Sequence, residues 1–173
     1  LSPDLYLELG EAIDSSGAVE LSAKYKTITQ KLSHGDQLAA YASSLYGGDV
    51  SKGRAIFFRN QNAQCMKCHS YDDRGGNAGP RLNGVASRIS RQQILESLIS
   101  PGARLAPGYG IVALELKDGA AVSGILESET KTSLTLKIGG EPLRVIKKDQ
   151  IAKRTNAPSS MPDMKLILSK KEI

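Results

Sequence analysis

Two periodicities divide the chain. Over roughly its first hundred residues apolar positions recur every three or four places, and from about Gly108 they alternate. In "SPDLYLELGEAI", Leu5, Leu9 and Ile13 share a helical face with Tyr6, while Ser2, Pro3 and Asp4 supply an N-cap, a first-position proline and a first-turn acid. "SSGAVELSAKYKTITQKL" carries the period through Val19, Leu21, Tyr25, Ile28 and Leu32, although Thr27 and Thr29 are poor helix formers. "DQLAAYASSLY" reads as a third short helix closed by Gly47 and Gly48. Residues 1–47 are therefore expected to form a helical N-terminal extension. Asp49 caps the next helix, "VSKGRAIFFRNQ", in which Gly53 and Phe57 fall one turn apart and would let a second helix come close. "SRQQILESLISP" has Ser90 as its cap, Pro101 as its stop, and Ile94, Leu95, Leu98 and Ile99 as its stripe.

The alternating region predicts strands. "GIVALELKDGAAVSGIL" sets Val112, Leu114 and Leu116, then Val122, Gly124 and Leu126, on either side of an Asp118-Gly119 turn, the strongest short-range hairpin signal. "SLTLKI" and "LRVIKK" follow around Gly139-Gly140, and a short fifth strand is expected near Ile151. Strands this short bury a common face only if the sheet curls, so residues 108–154 predict a small antiparallel β-barrel or rolled sheet. The remaining "TNAPSSMPDMKLILSKKEI" is Pro-rich and irregular as far as Leu166, with Ser169 opening a helical turn.

Composition sharpens the picture in two ways. Apolar residues make up 40% of 173, with no Trp and two Phe, so the core must come from Leu, Ile and Val or from bulk the chain does not encode, such as a large planar cofactor. The 23 Lys and Arg exceed the 18 Asp and Glu, giving +5 with a slight concentration between Lys137 and Lys171. No dense basic face interleaved with aromatics is present, so nucleic acid is not an expected partner. A solvated basic surface that steers an acidic partner fits better. No run of about 18 apolar residues predicts a membrane span, and no signal peptide is recognisable. The abrupt start at Leu1 and stop at Ile173 read as an excised piece of a longer protein, or as a protein with its ends removed.

Both cysteines and one of the two histidines stand together in "QCMKCHS", as Cys65, Cys68 and His69. A dithiol redox centre would need a surrounding βαβ pattern, which the flanking helix and Gly-rich loop do not provide. A zinc site would need His69 and His34 to complete the set, and a histidine adjacent to the second cysteine reaches the same ion poorly. Covalent haem attachment accounts for all three residues: two thiols add across neighbouring vinyl groups, two intervening residues bridge that span, and the next residue lies under the iron. The second axial ligand is then sought among Met66, Met161, Met164 and His34. Met66 sits inside the attachment loop and cannot reach the other haem face, and His34 precedes the attachment helix. Met161 and Met164 remain, in a Pro-bracketed segment that could lie extended against the distal face.

"GDVSKGRAIFFRNQNAQCMKCHS", "GPRLNGVASR" and "SSMP" together resemble a class I cytochrome c. More narrowly, "SRQQILESLISPGARLAPGYG", the "KDG" hairpin and "APSSMPDMKLILSKKEI" resemble the haem-binding domains at the C-terminal ends of large bacterial multidomain, dehydrogenase-like proteins, over roughly Asp49 to Ile173. The resemblance implies one haem c on thioethers from Cys65 and Cys68, with His69 as proximal ligand and Met161 as distal ligand. It further implies that Pro80 presents the carbonyl that orients the proximal imidazole and that Arg88 pairs with a propionate. Gly53 and Phe57 take the place of a contact with a C-terminal helix; here either residues beyond Ile173 or the prelude helices would cover them. The "LKDG…VSGIL" pattern is also reminiscent of small Sm-like or SH3-like barrels.

The expected fold is thus a mainly α cytochrome c, α+β overall: a helical extension over 1–47, the cytochrome domain over 48–107 and 155–173, and an inserted β subdomain over 108–154. The expected function is one-electron transfer between donor and acceptor proteins, a dehydrogenase among them, by a periplasmic or exported protein that is not itself an enzyme. A five-coordinate haem acting as peroxidase or gas sensor, and a partner-docking module carrying the haem, are the alternatives.

Overall fold

The computed structural model describes residues 5–33 and 36–173. The capping roles read for Ser2, Pro3 and Asp4, and the position of His34, fall outside these residues. In chain order the helices and first strands are α1 (Leu5–Ser16), α2 (Val19–Ser33), α3 (Gln37–Ala40), α4 (Val50–Arg59), α5 (Cys65–Cys68), β1 (Ser70–Tyr71), β2 (Arg74–Gly75), α6 (Val85–Arg88) and α7 (Arg91–Ile99). Five longer strands follow: β3 (Ile111–Leu116), β4 (Ala121–Glu129), β5 (Ser133–Lys137), β6 (Arg144–Lys147) and β7 (Ile151–Asn156). The chain divides into two compact units, one in Leu1–Met66, Gly84–Ser100 and Asp163–Ile173, the other in Lys67–Asn83 and Pro101–Pro162.

In the helical unit the sequence caps form as read. Asp49 accepts from the amides of Ser51 and Lys52 at the start of α4, and Ser90 and Gln93 make a reciprocal capping box on α7. The third predicted helix is broken. One α-turn, α3, gives way to a 3-10 segment at Ala42–Leu45, where Ser44 Oγ donates to the Lys170 carbonyl at 2.8 Å instead of facing solvent. Leu95, Ile99, Met164 and Leu168 are buried, and the segment carrying Met164 is fastened by Lys165. Its ammonium donates to Ile99 O at 2.5 Å, to Asp163 at 2.7 Å and to Gln37 at 3.0 Å. Lysine suits this place because the last carbonyls of a helix lack internal partners and carry partial negative charge. Among the described residues nothing lies within 4 Å of where a Cβ on Gly53 would stand, so the prelude helices do not cover it.

The second unit holds an antiparallel sheet in the order β6-β5-β4-β3-β7. Its alternation is as read: Val112, Leu114, Val122, Leu126, Leu134, Leu136 and Ile146 form one buried aliphatic face, joined by Leu105. At about 1.5–3 kcal/mol for each fully buried aliphatic side chain, this face is the main source of the unit's stability. The Asp118-Gly119 turn closes the β3–β4 hairpin, with Gly119 at φ 89°. One expectation is corrected: the sheet is open, not a barrel. β6 and β7 are its two edges, because β7 pairs with β3 and β6 with β5. Instead of a strand-to-strand seam, Glu129 on β4 accepts from Lys148 at 2.6 Å and from Arg154 on β7 at 3.0 Å.

Candidate haem-attachment site

Asn60 ends α4 and turns the chain into the motif. Its side-chain oxygen accepts from the amides of Asn62 and Ala63, both at 2.9 Å. Gln64 follows at φ 48°, an uncommon conformation for a residue with a side chain, and the single turn α5 begins at once. One helical turn sets positions three apart on the same side, which puts Cys65 and Cys68 on a common face. Cys65 is half-buried, Cys68 is exposed, and no disulfide joins them.

His69 leaves this turn into a ladder built from its own neighbourhood. Residues 68–72 run beside residues 79–83, and the rungs come in sequence. Gly79 N donates to Cys68 O at 2.8 Å, His69 Nδ1 to Pro80 O at 2.8 Å, and Leu82 N to Ser70 O at 2.9 Å; Asp72 N donates to Asn83 Oδ1 at 3.0 Å. The Pro80 bond fixes the tautomer: Nδ1 carries the proton and Nε2 keeps its lone pair, the state in which imidazole binds a metal. The cradle is cut to fit. A Cβ on Gly79 would stand 2.8 Å from the His69 ring, and one on Gly76 would stand 2.0 Å from the Lys67 carbonyl. Neither position admits a side chain without displacing the histidine or the turn that precedes it.

The Gly-rich stretch "DDRGGNAGPRLNG" after the motif predicts a loop. The structure finds a two-stranded hairpin, β1–β2, whose turn residues Asp72 and Asp73 both take left-handed conformations at φ 48° and 58°, as the tight hairpin turn of this hand requires. Strands two residues long carry no alternation to read. Nothing in the local pattern marks Asn83, and its part emerges only when the loop closes on itself.

The other expected residues are placed as follows. Met161 is half-buried in the unit that holds His69, with its amide donating to Ser159 Oγ at 3.1 Å between Pro158 and Pro162. Met164 is buried in the helical unit, 3% exposed. Met66 lies within α5, and Arg88 is exposed at the end of α6 in the helical unit. Among the described residues no three His, Cys, Asp or Glu side chains gather where they could hold a bare metal ion; His34, which the zinc reading requires, lies outside them. The residues present do fit a haem: paired thiols on one face of a turn, and an imidazole whose Nε2 is open.

Residues 50–132 match the family model described as Cytochrome c, from the start of α4 to just past β4. The span is a little under half of the chain and contains Cys65 and Cys68 with the spacing of a CxxCH motif. It supports a haem-binding electron-transfer protein, an electron carrier in character. Met161 lies beyond the matched residues. No curated protein matches the chain. No helix among the described residues is long and apolar enough to cross a membrane.

Proposed function

We propose that this chain is a mono-haem c-type cytochrome that relays single electrons, with Cys65 and Cys68 fastening the haem and His69 and Met161 as its axial ligands. The observation that carries the reading is the 2.8 Å bond from His69 Nδ1 to the Pro80 carbonyl directly after the CxxC turn, since it leaves Nε2 ready to bind. When bound, haem iron supplies a one-electron Fe(III)/Fe(II) couple. The chain's own groups set the terms. The two Sγ atoms hold the porphyrin, and the Pro80 carbonyl holds the Nδ1 proton and makes Nε2 a stronger donor. The Met161 thioether favours the ferrous state. Met161 is preferred to Met164 because Met164 is packed into the helical unit, where a methionine fills space. Arg88 is assigned to a propionate. Two axial ligands leave no position for a substrate, so the role is relay and not catalysis.

The partners proposed are redox donor and acceptor proteins or domains, a dehydrogenase among them. Periplasmic or exported location follows from where covalent haem attachment takes place. The test is expression in a host that installs haem c. A pyridine haemochrome spectrum with intact mass should give one haem per chain, and the ferric protein should show the weak near-red band of thioether ligation. A coloured protein of the right mass without that band is the five-coordinate alternative. A colourless chain of unmodified mass overturns the whole reading.

A further inference from the structure

The bond between His69 and Pro80 raises a question of its own: what holds the Pro80 carbonyl in register? Residues 79–83 contain no regular element, and Pro80 donates no amide. The ladder beside it ends at Asn83, whose side chain makes three bonds at once. Its Oδ1 accepts from Asp72 N and from Arg81 Nε, both at 3.0 Å, and its Nδ2 donates to Asp72 Oδ1 at 2.8 Å. Arg81 in turn pairs with Asp73 at 3.1 Å. Asn83 thus grips the left-handed Asp72-Asp73 turn on one side and the Pro80-bearing segment on the other. Glycine commonly fills such turns because other residues are strained there; here two aspartates hold that conformation, and side-chain bonds stabilise it.

We infer that Asn83, through its paired bonds with Asp72, is a positioning residue that sets the length of the His69–Pro80 hydrogen bond and thereby the donor strength of the proximal imidazole. It touches neither the imidazole nor the expected iron. Its effect passes along the two parallel segments, where a slip at Asn83 shifts Pro80 three residues away. The inference rests on His69 ligating the haem.

The test uses the haem-loaded chain, with histidine labelled in ¹⁵N, reduced so that the iron is diamagnetic. In the native protein the His69 ring protons should carry the large upfield shift of an axial ligand, and the Nδ1 proton should exchange slowly. Asn83→Leu removes all three bonds; the Nδ1 proton should then exchange at least about fivefold faster, the factor that one modest hydrogen bond corresponds to. The midpoint potential should rise, because a less strongly hydrogen-bonded imidazole stabilises ferric iron less. Asn83→Asp sets a carboxylate against Asp72 and should do the same, while the double change Asn83→Asp with Asp72→Asn restores a donor facing an acceptor and should return both readouts towards native. That rescue keeps the test valid if Asn83→Leu fails to fold. Native ring shifts with unchanged exchange and potential in the folded single variants overturn this inference alone. Absence of axial-ligand shifts in the native protein overturns both it and the ligation on which it rests.

Discussion

His69 and Met161, the two residues proposed to face the iron from opposite sides, are held in different ways. His69 sits in the middle of a run of rungs between residues 68–72 and 79–83, with a glycine pressed against its ring and a carbonyl on its Nδ1. Met161 has one local bond, from its own amide to Ser159 Oγ. Firm anchorage resumes only at Asp163 and Lys165, where the lysine reaches the end of α7. A ligand embedded in a bonded cradle is fixed by the fold. A ligand on a proline-bracketed strap is fixed only as well as the strap is tied. Under stress the methionine should leave first.

The largest effect expected is on the strongly held side: His69→Ala should abolish the low-spin ferric spectrum while covalent haem remains, as absorption and intact mass would show. Next comes the contrast between the two methionines. Met161→Ala should remove the near-red band and lower the midpoint potential on the order of 0.1 V, a fraction of the range that axial ligands span. Met164→Ala should leave band and potential in place but cost about 2–5 kcal/mol in denaturant unfolding, the usual penalty for emptying a buried methionine site. If Met164→Ala loses the band and Met161→Ala keeps it, the assignment is reversed.

Gly79→Ala tests the cradle itself. The added methyl must push the His69 ring or its own backbone, at about 1–3 kcal/mol, and should disturb the spectrum in proportion. Lys165→Met tests the strap: it removes three hydrogen bonds from a largely buried ammonium, costs about 1–3 kcal/mol, and should weaken the methionine band without touching haem attachment.

The smallest effect is a control away from both ligands. Burial of Glu129 raises its affinity for a proton, but hydrogen bonds from Lys148 and Arg154 outweigh it, and its pKa lies below the ordinary 4.5. Its contribution to stability is therefore present above that value and lost as the pH falls through the lowered folded-state pKa. Thermal unfolding followed by circular dichroism should show Glu129→Gln flattening this acid limb and leaving the haem spectrum unchanged.

What could be read in advance follows from how local each signal is. Asp49 and Ser90 were legible as caps because a cap needs only its own next three residues. The Asp118-Gly119 hairpin and the alternation of Val112, Leu114, Val122 and Leu126 were legible for the same reason, and Cys65, Cys68 and His69 because their chemistry sits in five consecutive positions. Closure of the sheet was not. It depended on whether β7 would choose β3 or β6, and alternation assigns faces without assigning partners. The grip of Asn83 on Asp72 was also hidden, since a side-chain bond across eleven residues leaves no period. Among the described residues nothing comes within 4 Å of where a Cβ on Gly53 would stand, although its spacing from Phe57 suggested a neighbour.

The rungs between residues 68–72 and 79–83 are made from polypeptide groups alone. A stretch downstream of the motif therefore helps to aim its imidazole, so a substitution there would be felt at the histidine even where every letter of CxxCH is kept.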